Sequence, residues 1–191
     1  SKADDASYYY DFAGWSRTDG GAASASALLN ITADTSVYAA YTSVAKRTVN
    51  YYNDTVLVST EYVRNGNNAV DAPSGLTKPS DAQYSYTFDG WSATNGGALD
   101  TSILQNITSD KDVYAHFART ARTYTVSYYN DTTFLSSEQV VGGADAANIP
   151  TGITKPDDAT YYYDFAGWGS VNGGSVESGL LQNIIQDITA Y

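Results

Sequence analysis

Cysteine and methionine are absent from the 191 residues, and His116 is the only histidine. Without cysteine there is no disulfide, no thiolate metal site and no Cys nucleophile. A lone histidine excludes a His-based metal cluster and is read as a neutral surface substitution. Positive charge is scarce, with 10 Lys and Arg against 21 Asp and Glu and a net charge of −11. So negative a surface repels phosphate backbones and anionic headgroups, which excludes nucleic acid as a partner. No run of about 18 apolar residues is present, so no helix in this stretch inserts into a membrane. P-loop, dinucleotide and nucleophile-elbow motifs are missing too. The pairs Asp4-Asp5 and Asp157-Asp158 lack the alternating oxygen ligands and the glycine of a calcium loop, and are read as solvated turns. We therefore expect no catalytic residue, no metal, no cofactor and no enzyme.

What the chain does contain is itself, several times over. The stretch YYYDFAGW occupies residues 8–15 and recurs letter for letter at 161–168, with YSYTFDGW between them at 84–91. The three tryptophans, Trp15, Trp91 and Trp168, lie 76 and 77 residues apart. Around them WSRTDGGA, WSATNGGA and WGSVNGGS align without gaps, as do LLNITAD, LQNITSD and LQNIIQD. Upstream, VNYYNDT at 49–55 matches VSYYNDT at 126–132. The repeats divide the chain into the second half of a unit (1–45), a complete unit (46–121) and a nearly complete one (122–191). Both chain ends cut through a repeat, so a window on a longer tandem array is expected. The joints TSVAKRT (42–48) and ARTARTYT (118–125) are short, which predicts a stiff string of units.

Within a unit the signals are mainly β. RTVNYYNDTVLVSTEYV reads as a hairpin turning at Asn53-Asp54, with Val49 and Tyr51, or Val126 and Tyr128, on one face. Broken alternation in the second arm, at Leu57 and Val58 and at Phe134 and Leu135, predicts a bulge. A Gly/Pro/Asn-rich crossover with a short helical turn follows. The aromatic stretch is then a strand, and a closing strand ends the unit at DVYAHF. Leu99, Ile103 and Ile107, four apart, predict one or two turns of helix begun at Asp100. The class expected is mostly β, a β-rich α+β fold.

The order of a hairpin, a Pro-containing crossover, a Y-x-F-x-G-W strand, a Gly turn, an N-I-T-x-D segment and a V-Y-A-x-F strand resembles the Listeria–Bacteroides repeat family. This is the internalin B-repeat type. The resemblance covers nearly the whole chain, departing from the pattern in its longer units and in Phe117 or Tyr41 where the family has Trp. It implies small β-grasp-like modules in tandem, an elongated array in extracellular surface proteins, acting as stalk, spacer or interaction module without catalysis.

Two readings compete for the aromatic stretch. Tyr and Trp faces suit sugar rings; alternatively, one face of the strand is core. The middle copy favours the core, because Tyr84, Tyr86 and Phe88 persist while Ser85 and Thr87 replace Tyr9 and Asp11. Tyr8, Tyr10, Phe12 and Trp15 are then expected in the core, with Tyr84, Tyr86, Phe88 and Trp91, and Tyr161, Tyr163, Phe165 and Trp168. Gly14, Gly90 and Gly167 let the chain bend before each Trp. Four sequons, at Asn30, Asn53, Asn106 and Asn130, are N-glycan acceptors in a suitable secreted context. Ordinary turn chemistry is the favoured account of them, and the site is lost at Asn183-Ile184-Ile185. Tyr52 and Tyr129 are the candidates for exposed aromatic contacts.

Three functions fit: a stiff extracellular stalk at the cell surface, an adhesin whose repeats bind host glycan or protein, and a filament or phage appendage built from identical chains. The stalk, held by contacts between neighbouring repeats, is the first expectation. The half-unit 1–45 lacks a hairpin and is expected to be the least stable part.

Overall fold

Runs of β-branched and aromatic residues, broken by Gly, Asn and Asp, leave the chain little choice but sheet. The computed structural model describes residues 1–191. It contains eight strands: β1 (Tyr8–Ser16), β2 (Tyr38–Asn53), β3 (Val56–Arg64), β4 (Tyr84–Ser92), β5 (Lys111–Ala121), β6 (Thr123–Asn130), β7 (Thr133–Val141) and β8 (Ile188–Ala190). Contacts divide the chain into two compact units, one of Ser1–Leu76 with Phe88–His116 and one of Thr77–Thr87 with Phe117–Tyr191.

In the first unit the hairpin β2–β3 turns at Asp54, whose φ is 58°. The predicted bulge is present: Tyr51 opposes Ser59 and Tyr52 opposes Leu57, leaving Val58 as the extra residue. In the second unit β6–β7 repeats this, with Asp131 at φ 53° and the register shift between Tyr128 and Tyr129. The closing strand of each repeat returns parallel to the first hairpin strand. Val49 faces Lys111 and Tyr51 faces Val113; Val126 faces Ile188 and Tyr128 faces Ala190.

The core lies under these parallel pairs. Val49, Tyr51, Val63, Trp91, Ile107 and Val113 are buried in the first unit. Their equivalents Val126, Tyr128, Val140, Trp168, Ile184 and Ala190 form the core of the second, with Leu180, Leu181 and Ile153 packed against it.

The helix expected from Asp100 does not form, and the structure has no helix at all. Residues 101–106 run through successive turns, with Gln105 N–H donating to Ser102 O at 2.9 Å. Asn106 then reverses the chain at φ 46°, a value no right-handed helix continues through. Three apolar residues four apart reach one core from a looped segment equally well. The crossover 65–83 likewise holds turns rather than a helical turn.

The joint 42–48 is strand throughout. β2 runs 16 residues from the closing strand of the half-unit into the hairpin of the complete one. Its early residues pair with β1, Ser43 opposite Tyr10, and its later ones with β3, Lys46 opposite Arg64. Between β5 and β6 only Arg122 lies outside a strand.

Candidate interaction surface

Each aromatic stretch starts from the same Asp-anchored turn. Asp81 Oδ1 accepts the N–H groups of Gln83 at 2.8 Å and Tyr84 at 2.7 Å, and its Oδ2 accepts the Tyr86 hydroxyl at 2.6 Å. Asp5 does the same with Ser7, Tyr8 and Tyr10, and Asp158 with Thr160, Tyr161 and Tyr163. The tyrosine hydroxyl is the strongest cause, and the three carboxyls all lie below the usual carboxylate range. A lysine ammonium sits over the same tyrosine ring in each copy: Lys2 on Tyr10, Lys78 on Tyr86 and Lys155 on Tyr163. Asp4-Asp5 and Asp157-Asp158 are thus turn builders whose oxygens already hold donors.

Past that turn the copies diverge. Trp91 and Trp168 are buried, at 5% and 8% exposure, whereas Trp15 is 40% exposed. The difference is the hairpin. Tyr51 meets Trp91 edge to face at 4.8 Å, and Tyr128 meets Trp168 at 5.1 Å. Within residues 1–191 no hairpin tyrosine meets Trp15, and Phe12 touches it edge-on at 5.6 Å. The twelve aromatics expected as one core therefore divide. Tyr10, Tyr84, Tyr86 and Phe88 are half-buried, while Tyr8, Phe12, Tyr161, Tyr163 and Phe165 are exposed. Tyr10, Tyr86 and Tyr163 pack against the Asp turn and its lysine instead of the core.

The glycine before each tryptophan is required by its backbone. Gly90 sits at φ 149°, and a Cβ there would meet Leu99 Cδ1 at 2.6 Å.

A second repeated cluster ties hairpin to crossover. The buried Glu61 carboxylate accepts the Tyr51 hydroxyl at 2.6 Å and the N–H groups of Val70 at 2.8 Å and Asp71 at 3.1 Å. Glu138 accepts Tyr128, Ala147 and Asn148 in the same way. Burial, then the carboxylate, pushes the Tyr51 and Tyr128 hydroxyls well above their usual range. Burial alone would raise the Glu138 carboxyl, but its hydrogen bonds outweigh that and hold it low. The sequence carried no sign of this cluster beyond the coincidence of Tyr and Glu in both hairpins.

Tyr52 and Tyr129 are half-buried and do not form an open aromatic platform. Tyr52 stacks on Tyr114 at 5.3 Å and Tyr129 on Tyr191 at 5.6 Å, each pairing hairpin with closing strand. Among the sequon positions, Asn30 and Asn106 stand at φ 51° and 46°, and so does Asn183 at 46°, where no sequon exists. The asparagine at that place is thus accounted for by left-handed turn geometry, which Asn tolerates. Asn130 donates its side-chain amide to Thr154 O at 2.9 Å, and Asn53 ends β2 at the hairpin turn. His116 does have a partner, its Nδ1 lying 2.6 Å from Asp89 Oδ1.

Beside Trp168 lies a cleft of about 350 Å³, lined by Ile149, Val176 and Leu181 with Asp145 and Glu177. Both carboxylates are engaged, Asp145 by Asn183 N–H and Glu177 by Ser170. Ser178 and Gln182 complete a lining that is otherwise apolar.

Residues 53–121 match the model of the divergent InlB B-repeat domain. The resemblance to the internalin B-repeat type holds. The matched span runs from the turn of the β2–β3 hairpin to the end of β5, the stretch that contains Glu61, Trp91 and Ile107. No curated protein and no solved structure matches the chain. The B-repeat match points to a repeat of surface proteins.

Proposed function

We propose that this chain is a non-catalytic stalk or spacer of an extracellular, cell-surface protein. Its B-repeat-type units, 1–45, 46–121 and 122–191, would follow one another as a tandem, β-grasp-like elongated array. The observation that carries the reading is β2. The joint between half-unit and complete unit is a continuous 16-residue strand, paired on one side with β1 and on the other with β3. A hinge there would have to break ladder hydrogen bonds, whereas a flexible linker would cost nothing to bend. The acidic surface fits a spacer that must stay soluble among its neighbours.

Adhesion through the repeats to a host glycan or protein is the weaker reading. It looked to Tyr52 and Tyr129, which spend their faces on Tyr114 and Tyr191. The test is electron microscopy of proteins in which residues 46–121 are duplicated once and twice. The stalk reading expects single rods that lengthen by the same increment with each copy. Rods of unchanged length, or bundles of many chains, would overturn it.

A further inference from the structure

The cleft beside Trp168 has a frame that the chain builds twice and lines differently each time. Three hydrogen bonds make it: Glu177 N–H to Trp168 O at 2.9 Å, Ala146 N–H to Leu181 O at 2.9 Å, and Asn183 N–H to Asp145 Oδ1 at 2.8 Å. The complete repeat repeats all three. Asp100 N–H reaches Trp91 O at 2.9 Å, Ala69 N–H reaches Leu104 O at 2.8 Å, and Asn106 N–H reaches Asn68 Oδ1 at 2.8 Å. There Leu99, the counterpart of Val176, is 39% exposed although β6 and β7 follow in the chain. This face therefore stays open in a repeat that another repeat follows.

What differs is the lining. Asp145 stands where the complete repeat has Asn68, Ile149 where it has Ala72, and Glu177 where it has Asp100. Asp145 thus adds a second negative charge, and Ile149 adds apolar surface. Neither carboxylate is in an ion pair, since the pairs of this chain are Arg64–Asp11, His116–Asp89 and Lys155–Asp131. Asn183 occupies Oδ1 of Asp145 and Ser170 occupies Oε1 of Glu177, which leaves Oδ2 and Oε2 without a partner. The Ser170 hydroxyl, then its N–H, holds the Glu177 carboxyl below the usual range, so it is charged at neutral pH.

We propose that this cleft binds an alkylammonium group, an apolar stem that ends in a primary amine. Ile149, Val176 and Leu181 would take the stem, and Asp145 and Glu177 the charge. Its volume of about 350 Å³ lies within the range of small-molecule sites. One free oxygen on each of two carboxylates suits a compact ammonium. A guanidinium fork would instead want both oxygens of one carboxylate. The net charge of −11 draws cations to the chain as a whole. The inference stands independently of the stalk reading.

The test is amide and indole NMR of the whole 191-residue chain, titrated with hexylammonium, hexanol and N-acetyl-lysine methylamide. Hexylammonium should give saturable shifts at the Trp168 indole and at amides 145–149 and 176–182, and none at Trp91 or 99–105. Hexanol, which lacks the charge, should bind about tenfold more weakly. Asp145→Asn installs the side chain that makes the same bond at position 68, so it should keep the fold and weaken hexylammonium about threefold. Adding Glu177→Gln should bring the loss to about tenfold. Binding of the lysine derivative too would support the proposal and assign the group to a lysine of a partner protein; binding of hexylammonium alone would support it with a free amine. Shifts that do not saturate, equal binding of hexanol, equal shifts at 99–105, or full affinity in the double variant would overturn it.

Discussion

The ring of Tyr51 meets that of Trp91 edge to face, centroids 4.8 Å apart and planes at 63°. Tyr128 and Trp168 reproduce the contact at 5.1 Å and 62°. This pair joins the hairpin to the aromatic strand, and it decides whether the tryptophan of a repeat is core or surface. Trp91→Ala should therefore cost about 3–5 kcal/mol, and Trp15→Ala less than half as much. Chemical denaturation of the two variants, followed by circular dichroism, makes the comparison; equal losses would show that Trp15 is as buried as Trp91.

A second contrast runs along the isoleucines. Ile107 and Ile184 are 0% and 2% exposed, while the equivalent Ile31 is 52% exposed. The crossover accounts for this: Gly66 and Asn67 exchange backbone bonds with Ile107, and Gly143 and Ala144 with Ile184. Ile31 makes no such bonds within residues 1–191. Substitution by Ala should cost about 2–5 kcal/mol at Ile107 or Ile184 and within about 0.5 kcal/mol at Ile31. Urea midpoints of the three variants check it.

Glu61→Ala removes the acceptor of the Tyr51 hydroxyl and of the Val70 and Asp71 amides in a buried place. A loss of about 2–3 kcal/mol follows from leaving such donors unpaired. The double variant with Tyr51→Phe should lose less than the sum of the two singles, because one orphaned donor has gone. Additive losses in a thermal-melt cycle would contradict the coupling.

Acid should loosen the turns. In Asp5, Asp81 and Asp158 the tyrosine hydroxyl, then backbone N–H groups, hold the folded carboxyl below its unfolded value. A depressed value means that the unfolded chain takes up the proton first. The stability is then fully present above the unfolded value, about 4, and is lost as pH falls through the folded ones. Melting temperature followed from pH 7 downward should stay level and then drop below about pH 4. Asp81→Asn should flatten part of that drop; an unaltered profile would contradict the assignment.

The sequence made the repeat, the hairpins, the bulge and the buried alternation of Val49 and Tyr51 legible, because each rests on local spacing. The turns at 101–106 were not legible as turns. A four-residue apolar spacing is shared by a helix and by a looped segment packed on one core. Positive φ at Asn106 is what decides between them, and Asn is only a weak signal of it. The exposure of Trp15 escaped for a different reason, since burial belongs to the partner strand. Glu61 was invisible because its partners, Tyr51 and the crossover amides, are distant in sequence or carry no side-chain signal.

Hydrogen exchange across residues 42–48 tests the central claim most directly. If the joint between repeats is a paired strand, its ladder amides should exchange as slowly as those of Val49–Tyr52 in the same strand. Exchange at the rate of an open linker would contradict it, and the stiff spacer with it.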